Sequence, residues 1–310
     1  MIDFVGKKRW FFLISWILVI IGIVSLIISQ IQFGSPLRLG TDFAGGTSIT
    51  LQFSPAVEQS RLREEMAKLG YGEATIQDAG EGSFIIHTQE ITSDVAQTLA
   101  EELGAELNSQ VEVADYYLAS ATVGAATARS ALIAVIVASI AMLFYIVWAF
   151  RRMPKPFRWG SCAVIAIVHD VFITLGIFSL MGLLIGVEID ALFITGLLTI
   201  VGYSVNNIVV IFDRIRENKA RVISSDFAIT VNSSIVETLG RCLNTSLTTL
   251  FVILALFLFG GATIHHFVLV LLFGVVIGTY DSIFVAGPLL VVWEKGEWSA
   301  LLPWAKKAAQ

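Results

Sequence analysis

Six apolar runs, each on the order of twenty residues, constrain this chain more than anything else in it. They occupy residues 10–31, 130–150, 158–182, 190–212, 243–260 and 264–293. Roughly 20 apolar residues in a helix cross a hydrocarbon core of about 30 Å. Inside that core the backbone must satisfy its own hydrogen bonds, which a helix does. Of 310 residues, 56% are hydrophobic and only 15% charged, whereas soluble domains carry about a quarter charged. The chain therefore reads as a polytopic α-helical membrane protein with six transmembrane helices. Lys7, Lys8 and Arg9 precede the first run as they would in a signal peptide. That run is too long for such a segment and no small-x-small cleavage site follows, so it reads as a retained span. Cys162 and Cys242 show neither metal spacing nor a disulfide framework and read as small packing residues.

Charge sets the orientation. Arg151, Arg152, Lys155 and Arg158 separate the second and third runs, and Arg214, Arg216, Lys219, Arg221 and Arg241 separate the fourth and fifth. Lys295, Lys306 and Lys307 follow the sixth, while the links 183–189 and 261–263 contain no Lys or Arg. By the positive-inside rule both termini are expected in the cytoplasm. The expected divisions are 1–32 (N-terminus and first span), 33–128 (outer domain), 129–293 (five spans, with a cytoplasmic loop at 213–241) and 294–310 (tail). Within that loop, Phe227, Val231, Ile235 and Leu239 suggest an amphipathic helix capped by Asp226 and lying on the membrane surface.

Residues 33–128 are the one connection long enough to fold alone. Ser48–Phe53 alternates like a half-buried strand. Ser54-Pro55 then reads as a helix start, with Leu62, Met66 and Leu69 as its stripe. Strands are expected at 74–77 and 83–88 around the turn AGEG, a second helix from Thr92 or Ser93 to Gly104, and a last strand at 110–116. The order β-α-β-β-α-β is the ferredoxin-like, split βαβ arrangement, giving an extracytoplasmic α+β domain. Residues 38–128 hold 14 Asp and Glu against four Lys and Arg, which argues against a nucleic-acid partner. That charge suits plain solubility, or an encounter with basic unfolded cargo.

Polar groups within spans are costly, roughly 2.5–3.5 kcal/mol for a charge at mid-helix, and each raises a question of function. The third run holds His169 and Asp170, which are adjacent and can pair. The fourth holds Tyr203, Ser204, Asn206 and Asn207. The fifth opens with Arg241, Asn244, Thr245, Thr248 and Thr249; the sixth holds Thr279, Tyr280, Asp281 and Ser282. Arg241, Thr245 and Thr248 fall on one helical face, and Ser204 and Asn207 lie three apart on another. Such strips line water-filled paths or helix interfaces, or serve as interhelical glue worth about 0.6 kcal/mol. His265-His266 offers too few ligands for a metal. Gly182-xxx-Gly186 and Gly274-xxx-Gly278 fit close helix packing.

Several stretches resemble the SecF family, the smaller membrane subunit of the SecD–SecF accessory complex of bacterial protein export. They are LGTDFAGGTSI (39–49), AIVHDVFITLG (166–176), the block 192–218 ending GYSVNNIVVIFDRIREN, ETLGRCLNTSLTTL (237–250) and FGVVIGTYDSIFVAGPLL (273–290). The resemblance implies half of a resistance-nodulation-division type transporter in the bacterial inner membrane, with SecD as the other half. It implies that inward proton flow helps pull unfolded preproteins through SecYEG, with the proton as coupling ion, no cofactor and no enzymatic reaction. Asp42, Phe43, Gly45 and Gly46 match the outer DF-x-GG signature, and Arg241 and Thr245 match the proton-path Arg-x-x-x-Thr. Asp170, Ser204 and Asn206 join that path as candidates.

Two positions depart from the pattern. The family's Asn-Asp is here Asn206-Asn207, and Asp281 stands where a small hydroxyl residue is usual. An amide keeps the shape of a carboxyl but does not titrate, so Asn207 is expected to mimic the protonated state, assemble normally and fail to couple. A proton-driven small-molecule exporter on the same plan is the alternative, although a ligand pocket and a second outer domain with its own spans are lacking. An intramembrane aspartyl protease needs two aspartates, one in a GxGD-like setting, and Asp170 and Asp281 lack that context.

Overall fold

The computed structural model describes residues 3–261 and 264–301, so Lys306, Lys307 and most of the expected tail lie outside the described residues. In chain order the elements are α1 (Lys8–Phe33), a short α2 (Thr41–Ala44), β1 (Gly46–Ser54), α3 (Gln59–Lys68), β2 (Thr75–Gly80), β3 (Ser83–Thr88), α4 (Ser93–Leu107) and β4 (Gln110–Ala119). Then come α5 (Ala121–Ala149), α6 (Pro156–Ile185), α7 (Ala191–Ala220) and α8 (Phe227–Phe259). The sixth long helix is composite: α9 (His265–Asp281), a π-helical turn (Ser282–Ala286) and α10 (Gly287–Lys295).

Six of these helices are long and apolar enough to span a membrane. Even α1, with 26 residues, extends about 39 Å at roughly 1.5 Å per residue. The α6, α7 and α9–α10 helices form the centre, with about half of their apolar windows buried; α5 has only 6% buried. Its bare face of Ile133, Ile136, Ile140, Phe144 and Trp148 suits hydrocarbon or a partner rather than water. Glycine permits the closest crossings. A Cβ on Gly176 would stand 2.6 Å from the Gly22 Cα, and one on Gly274 would stand 2.0 Å from Ile200 Cδ1. Gly186 has a different task from the expected packing: its φ of 73° ends α6 in a left-handed cap.

The sheet domain has the expected ferredoxin-like order. Its four antiparallel strands run β2-β3-β1-β4. Ile49, Leu51, Phe53, Phe84 and Ile86 face Leu62 and Met66 of α3 and Leu99 and Leu103 of α4 in one core. At the β2–β3 turn, Glu81 and Gly82 both take positive φ, which suits the twist of a tight hairpin. Helix α3 begins at Gln59 rather than after Ser54-Pro55, because Ser54 is held extended by pairing with Gln110.

The expected loop at 213–241 is corrected more deeply. Helix α7 runs on to Ala220 and α8 starts at Phe227, leaving 221–226 as the connection. Arg214 pairs with Glu217 on its own helix and with Glu237 on α8, and Asn218 Nδ2 donates to Ser234 Oγ at 3.0 Å and Glu237 Oε2 at 2.9 Å. These pairs extend two packed helices beyond their apolar stretch. Val231 and Ile235 are fully buried in the bundle core, so this face of α8 packs on protein and not along a membrane surface.

Candidate functional site

The polar residues of the central helices meet in two adjoining groups. In the first, Ser204 Oγ on α7 donates to Asp170 Oδ2 on α6 at 2.5 Å, and His169 Nδ1 lies 2.8 Å from Asp281 Oδ2 at the end of α9. His169 therefore pairs with Asp281 on another helix, not with its neighbour Asp170 as its position suggests. In the second group Asn207 Nδ2 donates to Ser246 Oγ on α8 at 3.2 Å, and Thr279 Oγ1 on α9 donates to the same oxygen at 2.6 Å. Asp170, Ser204 and Asp281 are wholly buried and Asn207 is 2% exposed. Hydroxyls and carboxyls thus tie α6, α7, α8 and α9 together at the level where each would otherwise present an unsatisfied polar group to an apolar interior.

Sequence reasoning missed Ser246 and left Asp281 unplaced. The available signal was stoichiometric. A buried amide such as Asn207 needs a partner, and Ser246 lies beside the Arg241–Thr245–Thr248 strip without belonging to it. That strip itself is not in the core. Arg241 and Thr248 are exposed and Thr245 is partly so, with its hydroxyl donating to the Arg241 carbonyl at 2.9 Å. Asn206, next to Asn207, is also exposed. The structure brings Asn207 to Ser246 and gives no hydrogen bond between Asn207 and Arg241 among the described residues. His169, Asp170 and Asp281 offer ligand atoms within 4.8 Å of one another. Three donors fall short of the four of a closed structural zinc site and the six or more of calcium.

At the sheet-domain end the DF-x-GG signature forms a joint. Asp42 Oδ2 accepts from Ala191 N at 2.9 Å while Asp190 Oδ1 accepts from Phe193 N at 2.8 Å, so two carboxylates serve the start of α7. Phe43 is buried among Phe178, Phe193 and Val270 in the bundle. Gly45 and Gly46 then turn the chain into β1 with φ of 80° and 121°. A short clip follows the same seam: Gly40 N donates to the Ile189 carbonyl and Ile189 N to the Arg38 carbonyl, both at 2.9 Å.

Glu188 locks this seam. Its Oε1 accepts from Thr75 Oγ1 at 2.6 Å and from Arg38 Nε at 3.3 Å, and its Oε2 lies 2.8 Å from His87 Nδ1. Burial alone would raise the Glu188 carboxyl, but hydrogen bonds from His87 and Thr75 and the charges of His87 and Arg38 hold it below the ordinary glutamate value. A carboxyl held low stabilises the fold above its unfolded-state value, about 4.3, and loses that contribution as pH falls through the lower folded value. Glu188→Gln should therefore lower the thermal unfolding temperature at neutral pH, with the gap to the parent closing below about pH 4. A gap that stays constant across pH would show that the charge of Glu188 is not what holds the joint.

Comparison with known proteins places this geometry in context. Residues 99–296 match the family described as protein export membrane protein SecD/SecF, C-terminal, and residues 31–57 match the SecD/SecF GG motif. A protein translocase subunit SecF of Thermobaculum terrenum is 43% identical, over 95% of this chain and 94% of its own. Another from Anaerolinea thermophila is 39% identical, over 100% and 99%. The crystal structure of SecDF, a translocon-associated membrane protein from Thermus thermophilus, superimposes with a TM-score of 0.81 at 32% identity over 95% of this chain. A SecDF structure in a super-membrane-facing form gives 0.68 at 31% identity. This chain spans 39% of the length of each SecDF chain.

Proposed function

Because the chain belongs to the SecD/SecF family of protein-export membrane proteins, as a SecF-type translocase subunit, we propose that it pairs with a SecD half and uses the proton gradient to promote preprotein export through SecYEG. The observation that carries this reading is the polar edge along α7 and α8. Asn206, Arg241, Asn244 and Thr248 are exposed there, on helices otherwise suited to lipid. An arginine facing hydrocarbon costs on the order of 2.5–3.5 kcal/mol even on insertion scales, and its five donors need acceptors or water. A second subunit covering that edge, or a wet cavity shared with it, removes the cost. A SecD half of similar plan would face its own α7–α8 counterpart across this seam.

In the same reading both termini lie in the cytoplasm and the acidic sheet domain lies outside the inner membrane, where emerging unfolded chains are met. The test is export into vesicles containing SecD and SecYEG, with and without this chain, at a fixed proton gradient that is acid in the lumen. The gradient-dependent fraction of export should require the chain, in vesicles whose orientation is checked by outside labelling. In these vesicles, whose lumen is the export side, a cysteine at Lys219 should react from outside and one at Glu81 should not, in a background lacking Cys162 and Cys242. Export equally stimulated without the chain, or the reverse labelling, would overturn the reading.

A further inference from the structure

The bundle interior holds two carboxyl groups with no cation to balance them. Asp170 and Asp281 are each 0% exposed, and the partners the structure gives them are one hydroxyl and one imidazole. Asp170 Oδ1, Asp281 Oδ1 and His169 Nε2 remain buried without any hydrogen-bond partner. The two carboxyls and the His169 ring bring atoms within 4.8 Å of one another. Every element around them has been satisfied elsewhere or is neutral. On α7 Ser204 already donates to Asp170, and Tyr203 turns to Thr249 on α8. Tyr280 donates to the Phe11 carbonyl on α1, Thr174 to the Asp170 carbonyl, and Thr279 to Ser246. No Lys or Arg side chain pairs with either carboxyl among the described residues.

Two neighbouring buried carboxyls, each with an oxygen that lacks a donor, are complementary to a proton. A single proton shared by them supplies the missing donor to one and the missing acceptor to the other, and removes one of two adjacent buried charges. We infer that Asp170 and Asp281 form a proton-binding centre inside this chain, with one proton shared by the pair and His169 as the group through which a second proton exchanges. His169 is the outermost member, 14% exposed at its side chain where both aspartates are 0%. Its ring also lines a cavity of about 270 Å³ with Ser15, Trp16 and Leu289. A proton arriving at Nε2 makes an imidazolium, whose Nδ1 proton passes to Asp281 Oδ2; the ring is left neutral and the trio has gained one proton. Asp281 is the last residue before the π-helical turn 282–286, a departure from α-helical bonding of the kind frequent at functional sites.

The inference rests on the proposed gradient-driven reading for its purpose, but its test does not. Infrared difference spectra of the full chain with SecD in vesicles, recorded across a pH step, report the carbonyl stretch of a protonated carboxyl. The parent should show such a band at neutral pH. It should move in Asp170→Asn and in Asp281→Asn, and vanish in the double variant. Asp281→Ser is the second choice should Asp281→Asn fail to elute as the parent does. The gradient-dependent part of export should fall in each single variant to the level seen without a gradient. Absence of the band in the parent, its persistence unchanged in the double variant, or a stoichiometric metal ion in the purified protein would overturn the proton centre. A band that behaves as expected, with no gradient-dependent export in any form, would uphold the centre and count against the proposed function instead.

Discussion

Replacing Asn207 with Asp should raise proton-gradient-stimulated export when the chain is reconstituted with SecD and SecYEG. Asn207 is 2% exposed and donates to Ser246 Oγ, which also accepts from Thr279. Aspartate fits the same space, and the Ser246 hydroxyl can turn to donate to it. What changes is that position 207 acquires a titratable proton. An ionised carboxylate left unpaired in this interior costs roughly 3–5 kcal/mol, so it holds its charge only while a cation is close. Arg241 lies on the same helix as Ser246, exposed and without a side-chain partner among the described residues. A relative movement of α7 and α8 that brings the guanidinium to residue 207 favours the charged form, and one that separates them favours proton uptake. The parent lacks this step, though the Asp170–Asp281 pair leaves it other titratable groups in the same core. Adding Arg241→Leu to Asn207→Asp should abolish the gain. Equal stimulation of parent and Asn207→Asp would mean that the two amides serve only to hold helices together.

How far the chain could be read in advance depends on which interactions are local. The spans were legible because lipid-crossing helices declare themselves by composition, and the sheet domain because alternation and turn residues are short-range signals. The helix ends at α7 and α8 were not. Hydropathy marks where an apolar environment stops, while a helix continues as long as its polar faces find partners, and those of Arg214 and Asn218 lie on a different helix at Glu237 and Ser234. The start of α3 was misread for a related reason: Ser54 has the chemistry of a cap, but its pairing with Gln110 across the sheet takes precedence. Within the bundle, the spacing of Ser204 and Asn207 located one buried face correctly. The rotation of α8 that presents Ser246 to Asn207, and leaves Arg241 exposed, is a tertiary outcome that spacing along one helix does not carry. The same holds for His169, whose partner is 112 residues away rather than adjacent.

Gly46→Ala should be among the most destabilising single-methyl additions in the chain. Position 46 has φ of 121°, which glycine adopts freely and other residues resist. An added Cβ would also stand 2.5 Å from the Thr88 carbonyl oxygen, a backbone atom fixed by the pairing of β1 with β3. The conformational part costs about 1–2 kcal/mol and forced overpacking typically another 1–3, together a large share of the 5–15 kcal/mol that holds a typical domain. The consequence reaches past the sheet. Gly46 follows directly on the segment where Asp42 caps α7 and Phe43 enters the bundle core, so displacing β1 pulls on the joint that fixes the domain to the membrane helices. Gly70→Ala is the matched control, because Gly70 has φ of 92° but nothing within 4 Å of its missing Cβ. Thermal unfolding of the full chain in detergent should show a loss for Gly46→Ala well beyond that of Gly70→Ala, the difference measuring the clash with Thr88. Equal losses would mean that β1 yields to the methyl group, and that the paired glycines answer to something other than backbone geometry.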